Sequence, residues 1–220
     1  CERFVADGLA RAHRSDVETV VIGASWVGLT DRDDYYRTDA QGHSVGPPLD
    51  LHKADLPWVL GRFEAAVRDL VKDGKRVVII LSSPRGDAFN PRFMVTRAGS
   101  QFRLNIRPTV PRSEVLAELG GIDARLAGIA RSVGAEIVDP MDEMCHAGVC
   151  PTIDAQGNPF FMDETHLRSS MVRAHFDELD KFVYLSAPAL PDSQRWPNAV
   201  THRGFPETSS WFPEPSSVGH

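Results

Sequence analysis

Three short apolar runs, separated by long amphipathic stretches, constrain the fold of this chain more than any other feature. The runs occupy residues 17–23, 75–84 and 135–140 and are rich in valine and isoleucine. Short runs of this kind are typical of strands that are buried on both faces in a parallel sheet. Between the runs, residues 55–73 and 113–133 place apolar side chains at helical spacing, although Gly120-Gly121 weaken the second pattern. Strands that alternate with helices predict an α/β fold, a three-layer sandwich around a mostly parallel sheet.

One domain accounts for most of the chain, and a tail follows it. We place the domain at residues 1–186, with a last helix between His166 and residue 183. Residues 30–50 are polar and contain two adjacent prolines, which predicts a loop. Residues 187–220 are rich in proline and serine and have few periodic apolar positions. We interpret them as a C-terminal tail that either lies on the surface or is disordered.

The bulk composition excludes several classes of function. The chain has 220 residues, 42% of them hydrophobic, and a formal net charge of −6. This acidic balance argues against a nucleic-acid-binding surface, and no apolar run is long enough to cross a bilayer. Asp31, Asp33 and Asp34 lack the glycine and the distal glutamate of a calcium-binding loop. We expect no nucleic-acid partner, no metal and no cofactor.

Two of the three cysteines bracket a short loop that contains glycine. Cys145 and Cys150 flank residues 146–149, which can close into a small disulfide ring. A metal site is the alternative, with His146 as a third ligand, but no second pair of ligands lies at zinc-site spacing. We favour the disulfide, which predicts an oxidising compartment such as a bacterial periplasm. Cys1 is then left over, and we expect its partner to lie upstream of this chain.

A carboxylate three residues ahead of an imidazole is the strongest chemical signal in the chain. Asp163 precedes His166 where an aromatic run ends and a helical pattern begins. On such a turn Asp163 can accept from the Nδ1–H group of His166, which leaves Nε2 free to act as a base. The alternative is structural: Asp163 is a suitable N-cap residue, and His166 would then be a surface residue.

A base of this kind needs a nucleophile, and the sequence offers only weak candidates. Ser25 follows the first apolar run between Gly23 and Gly28, one residue too long for a nucleophile elbow. The alternative is that Ser25 is simply a small residue at the end of a strand. Ser83 is a weaker candidate because Pro84 follows it and no glycine elbow surrounds it.

With these residues in hand, the chain resembles the SGNH/GDSL hydrolase superfamily over about residues 1–182. The resemblance is greatest to the C-terminal SGNH domain of acyltransferase-3 family O-acyltransferases. It rests on the segments that end the first two strands, residues 23–26 and 83–84, and on the run from Asp139-Pro140 through the paired cysteines. Its most specific part is residues 158–167, which contain Asp163 and His166.

The resemblance implies an SGNH or flavodoxin-like sheet and two members of a catalytic triad. Asp163 and His166 match the family's acid and base, but its Gly-Asp-Ser motif, which carries the nucleophile, does not occur here. We therefore expect the first strand of the sheet, with that serine, to lie upstream of Cys1. The family's Gly-x-Asn element corresponds to residues 23–25, so Gly23 or Ser25 would donate to the oxyanion.

The function that this resemblance implies is O-acylation, usually acetylation, of a bacterial surface glycan by a Ser-His-Asp mechanism. The partners would be an acyl donor and a glycan acceptor, and a transmembrane region upstream would hold the domain on the extracytoplasmic face of the inner membrane. A secreted carbohydrate esterase is one alternative, and a non-catalytic module that binds glycan or scaffolds a partner is another. Without the serine, we expect this chain alone to be inactive.

A locally basic stretch interrupts the helix–strand alternation. Its arginines alternate with Phe89, Phe93 and Phe102: they are Arg85, Arg92, Arg97, Arg103, Arg107 and Arg112. The stretch could hold an anionic acyl donor or glycan. A solvated insertion is the interpretation we favour.

Overall fold

A computed structural model describes residues 2–30, 32, 34–39 and 41–176. In chain order the strands are β1 (Thr19–Gly23), β2 (Arg37–Thr38), β3 (Ser44–Val45), β4 (Arg76–Ile80), β5 (Val95–Ala98), β6 (Gln101–Leu104), β7 (Thr109–Pro111), β8 (Glu136–Val138) and β9 (Val149–Pro151). The helices are α1 (Glu2–Ala12), α2 (Trp26–Thr30), α3 (Leu56–Lys72), α4 (Arg112–Glu118), α5 (Ile122–Val133), α6 (Pro140–Met144) and α7 (Ser169–His175).

The central sheet is parallel and is built from the three predicted apolar runs. Its strand order is β1-β4-β8, with Val21 opposite Val78 and Ile79 opposite Ile137. Helices flank the sheet, so the predicted α/β fold is confirmed. All three strands run in the same direction, and their carboxyl ends at Gly23, Ile80 and Val138 therefore meet at one edge of the sheet.

The main core lies between this sheet and the two long helices. Val77 and Ile79 of β4 are buried together with Val67 and Leu70 of α3 and with Leu126 of α5. Successive strand residues point to opposite faces, which is why Val77 and Ile79 share a face. The intervening Val78 is also buried completely, with Val138, on the other face of the sheet. Burial on both faces explains why the strand sequences lack polar alternation.

The helix predicted at residues 55–73 is confirmed, but the single helix predicted at residues 113–133 is divided at the glycines that weaken its pattern. The structure has two helices there, α4 and α5, because Gly120 and Gly121 adopt φ values of +60° and +74°. A left-handed backbone cannot continue a right-handed helix, and glycine adopts it without steric cost. The interruption places α4 beside β7 and leaves α5 to cover the sheet.

Smaller differences from the sequence prediction concern the strands and the chain ends. The three sheet strands are shorter than the apolar runs, and the predicted loop at residues 30–50 contains a short hairpin of β2 and β3. The helix expected after His166 begins at Ser169. Its predicted continuation to residue 183, and the tail at 187–220, lie outside the described residues. Within the described part of the chain, no helix has the length and hydropathy needed to cross a membrane.

The paired cysteines lie beside a second small sheet. β7 and β9 pair antiparallel, with Val110 opposite Cys150. The Sγ atoms of Cys145 and Cys150 are 2.09 Å apart, which is disulfide bonding distance. Both residues are buried in the main core. The pair joins the residue that follows α6 to the middle of β9.

The buried Lys75 links the segment between α1 and β1 to the start of β4. This contact gives a prediction about stability. Lys75 is 9% exposed, and its Nζ donates to the carbonyl oxygens of Arg14 and Val17 at 2.6 and 2.8 Å. Lys75→Met removes both donors and leaves two acceptors unsatisfied, so we expect the free energy of unfolding to fall by about 1–3 kcal/mol. Urea denaturation followed by circular dichroism measures this change.

The matched control is Lys72→Met, because Lys72 is an exposed lysine on α3. We expect that substitution to change the free energy of unfolding by less than about 0.5 kcal/mol. Equal destabilisation by the two substitutions would contradict a specific role for the buried ammonium group.

Candidate functional site

A cavity of about 340 Å³ lies at the carboxyl ends of the parallel strands. Its walls come from residues 24–27 after β1, residues 80–83 at the end of β4, and residues 165–167. In open α/β sheets, ligands bind outside the carboxyl ends of the strands. The position of the cavity therefore follows from the sheet itself, and His166 is part of its wall.

An indole ring fixes the wall that follows β1. The Nε1–H group of Trp26 donates to the carbonyl oxygen of Ile80 at 2.7 Å. The ring also packs edge-on against Phe63 of α3, with 5.4 Å between centroids. These two contacts hold the start of α2 against the end of β4, so the backbone around Ser25 stays beside the cavity.

The Asp163 carboxylate organises the turn at residues 162–166. One oxygen accepts from the backbone N–H groups of Thr165 and His166 at 2.9 and 2.8 Å. The other lies 2.7 Å from Nδ1 of His166, so the predicted hydrogen bond is confirmed. Asp163 is not a helix N-cap, because α7 begins six residues later and its N-cap is Arg168. The N-cap alternative for Asp163 is therefore wrong, but His166 is an exposed residue, as that alternative also expected.

The turn is anchored in the core by the residue that precedes it. Phe161 is completely buried and packs against Phe89 at 5.0 Å between ring centroids. The N–H group of Met162 donates to the His166 carbonyl at 2.8 Å and closes the turn. A further bond, from the Gly86 N–H group to the Glu164 carbonyl at 3.2 Å, joins the turn to the loop after β4.

The electrostatics of the turn favour the ionised form of the Asp163 carboxylate. The pKa of Asp163 lies well below its usual value, first because the Thr165 N–H group donates to it, and then because the His166 N–H group and ring do. An ionised Asp163 attracts positive charge on the imidazole, and its bond to Nδ1 leaves Nε2 for proton transfer. His166 is 71% exposed at its side chain, so that nitrogen is accessible to a ligand.

Ser25 and Gly23 occupy different positions relative to the cavity. Gly23 is the last residue of β1, opposite Ile80, and the lining begins only after it. Ser25 lines the cavity, but its Oγ lies over the first turn of α2, 2.6 Å from where a Cβ on Gly28 would be. Among the described residues, no hydrogen bond joins Ser25 to His166. The roles of Gly23 and Ser25 as oxyanion donors, or of Ser25 as nucleophile, stay predictions.

Ser82 and Ser83, which follow β4, are no better placed than Ser25 to act as a nucleophile. The backbone N–H and Oγ of Ser82 both bond to one carboxylate oxygen of Asp123 in α5, at 3.2 and 2.9 Å. Burial raises the pKa of Asp123, although the bonds from Ser82 oppose this. Ser83 lines the cavity without a bond to the imidazole in the part of the chain described here. The structure thus brings His166, bonded to Asp163, to the cavity, and no serine of the described residues is bonded to either side chain.

The sequence points to the segments of two further residues that shape the site, but not to their contacts. Arg85, which the sequence places in the basic stretch, lines both this cavity and a second one of about 310 Å³, whose wall includes Glu164. Its place just after a strand end is consistent with that position. Trp26 lies in the segment that follows β1, and no local pattern reveals that its indole will donate to a carbonyl of another strand.

The low pKa of Asp163 gives a prediction about stability and pH. The folded pKa lies below that of the unfolded chain, about 3.9, so the unfolded state takes up the proton first as the pH falls. The stabilisation by this carboxylate is therefore complete above about pH 5 and declines below about pH 4. Asp163→Asn keeps an oxygen acceptor but removes the charge. We expect the stability difference between wild type and this variant to shrink as the pH falls through that range.

Denaturant unfolding of both proteins at a series of pH values measures the difference. A difference that stays constant, or grows, towards acid pH would contradict the depressed pKa. Circular dichroism at neutral pH is the control that the variant keeps the same fold.

Comparison with known proteins agrees with this geometry. None of the curated proteins matches the chain. A family model described as "SGNH domain (fused to AT3 domains)" matches residues 1–181, which is most of the chain. The match includes both Asp163 and His166 and all three strands of the parallel sheet. The chain therefore belongs to the family of SGNH domains that are fused to AT3 domains.

Proposed function

We propose that this chain is the SGNH domain of an O-acyltransferase that transfers an acyl group, with acetyl as the first candidate, to a bacterial surface glycan. The observation that carries the proposal is the bond of 2.7 Å between Asp163 and His166 beside the cavity at the strand ends. Membership of a family fused to AT3 domains supports an acyltransferase setting. The identity of the glycan rests on the resemblance alone.

In this mechanism, His166 carries protons and Asp163 remains ionised throughout. Nε2 of His166 takes the proton of a serine hydroxyl as its oxygen attacks the acyl donor, and the imidazolium then protonates the leaving group. Next, a sugar hydroxyl gives its proton to Nε2 and attacks the acyl-serine ester. The imidazolium returns that proton to the serine oxygen as the acylated sugar departs. Asp163 holds the ring orientation and stabilises each imidazolium.

We further propose that the serine comes from a strand outside these 220 residues that pairs with β1. Within the described sheet, β1 pairs on one side only, with β4, and Val21 is exposed. An apolar strand with an open edge is suited to pair with a further strand. A parallel strand there would end beside the cavity, and its following loop would face His166. The backbone after Gly23 would then be placed to donate to the oxyanion.

Activity of the intact acyltransferase tests this function. His166→Ala removes the base, and we expect acyl transfer to the glycan to fall by roughly 10²–10⁴-fold. Asp163→Asn leaves the base but not its counter-charge, so we expect a loss in the same range, mainly in kcat. His52→Ala is the matched control, because His52 is exposed and lines neither cavity. Mass spectrometry of the glycan measures the acyl groups.

The present chain alone provides a second arm of the experiment. We expect it to hydrolyse p-nitrophenyl acetate no faster than its His166→Ala variant. Turnover that Ser25→Ala abolishes would refute the external serine and make Ser25 the nucleophile. Unchanged glycan acylation in the intact His166→Ala protein would instead refute the catalytic proposal and favour the non-catalytic binding module.

We also propose an extracytoplasmic location, which predicts a covalent bond between Cys145 and Cys150. Their sulfur atoms are at bonding distance, and the loop reverses direction at Ala147 and Gly148 with φ values of 51° and 80°. In protein exported to an oxidising compartment, we expect unreduced peptide mapping to find both cysteines in one cross-linked species. In the chain-entropy treatment of so short a loop, the bond contributes about 2 kcal/mol to the free energy of unfolding.

Cys150→Ser is the control, since it should free Cys145 for alkylation and lower stability by that amount. Two alkylated cysteines in exported, unreduced wild-type protein would contradict both the bond and the compartment that it implies.

A further inference from the structure

The basic stretch of the sequence forms a free hairpin, which the proposed activity does not use. β5 and β6 pair only with each other in the described chain, through a two-residue turn that has Gly99 at φ +65°. The hairpin is held at its base, where Met94 is buried and its carbonyl accepts from the Asn105 N–H group at 2.8 Å. Beyond that base, the described side chains of both strands are exposed.

One face of this hairpin is apolar and uncovered. Cross-strand partners point to the same side of a sheet, and Val95 lies opposite Leu104 while Arg97 lies opposite Phe102. These four side chains therefore share a face. Phe102 is 74% exposed and Leu104 is 75% exposed. A two-stranded hairpin gains little stability in water by itself, so an apolar face of this kind indicates a binding surface.

The charge of the hairpin is opposite to that of the chain. Residues 91–107 contain four arginines and no acidic residue, whereas the whole chain has a formal net charge of −6. Arg107 is paired with Glu114 at 2.7 Å. Arg92, Arg97 and Arg103 form no ion pair with any carboxylate of the described residues, and the Arg97 guanidinium bonds only to the Gly99 carbonyl. Arg97 thus brings a guanidinium group to the apolar face, whereas Arg103, opposite Thr96, lies on the other face of the hairpin.

We propose that this hairpin docks on the surface of an anionic lipid bilayer, with Phe102 and Leu104 inserted at the acyl boundary. Arginine side chains beside them would lie at the level of the lipid phosphates, their stems along the apolar layer and their charged ends in the headgroups. A bilayer interface supplies an apolar layer and negative charge together, which is the complement of this face. The proposal does not depend on the catalytic activity proposed above.

Co-sedimentation of the chain with lipid vesicles tests this proposal. We expect binding to phosphatidylcholine vesicles that contain phosphatidylglycerol, weaker binding to phosphatidylcholine alone, and a loss of binding at high salt. Phe102→Ser combined with Leu104→Ser should reduce the partition coefficient by roughly ten-fold or more. Arg97→Gln should reduce it by roughly five-fold at low salt, and Arg103→Gln, on the opposite face, by less.

The matched control is Phe4→Ser, because Phe4 on α1 is 82% exposed but lies outside the hairpin. It should leave vesicle binding unchanged. All substituted side chains are exposed, and thermal unfolding checks that the variants remain folded. Absence of vesicle binding, or binding that the paired substitution does not weaken, would overturn the proposal.

A second copy of this chain, bound at the apolar face of the hairpin, would give a different result in these experiments. If the chain self-associates without lipid in analytical ultracentrifugation, and the paired substitution makes it monomeric without changing vesicle binding, the face is an interface between copies. That outcome also overturns the membrane proposal.

Discussion

The geometry of the candidate site depends on one carboxylate that accepts four hydrogen bonds. Asp163 receives two backbone N–H groups, the Thr165 hydroxyl and the ring of His166, so the same side chain shapes the turn and orients the imidazole. These bonds favour the charged form of the carboxylate, which is the form that stabilises a protonated imidazole. The hydrogen bonds of the turn and the proposed chemistry therefore both favour an ionised Asp163.

The fold was predictable from the sequence where apolar periodicity is strong. The three parallel strands were predicted because each is a continuous apolar run, and α3 was predicted because its apolar side chains form a single stripe. The sequence marks Gly120-Gly121 as a weak point of one helix, but it does not predict a complete break, because the apolar spacing continues through Leu119, Ile122 and Leu126. Periodicity does not record backbone handedness, and the two adjacent glycines take it to positive φ. The β5–β6 hairpin was missed because its apolar residues face solvent instead of a core.

The site was predictable where its parts are close in sequence. The hydrogen bond between Asp163 and His166 spans three residues, so spacing was sufficient to predict it. The bonds from Trp26 to Ile80 and from Ser82 to Asp123 join segments more than forty residues apart in the chain. No local pattern encodes such contacts, because they depend on how the strands and helices pack. For the same reason, the nucleophile could not be assigned from the sequence.

The backbone N–H group of Gly86 links the loop after β4 to the turn that carries His166. Its bond to the Glu164 carbonyl joins the loop after β4 to the turn at residues 162–166. Arg85, beside it, lines both cavities. A single peptide group thus links the walls of both cavities to the turn that carries His166. If His166 acts as the proposed base, a ligand that displaces this loop would also displace the imidazole, and in well-aligned catalysis a displacement of about 1 Å can change a rate by about 10²-fold.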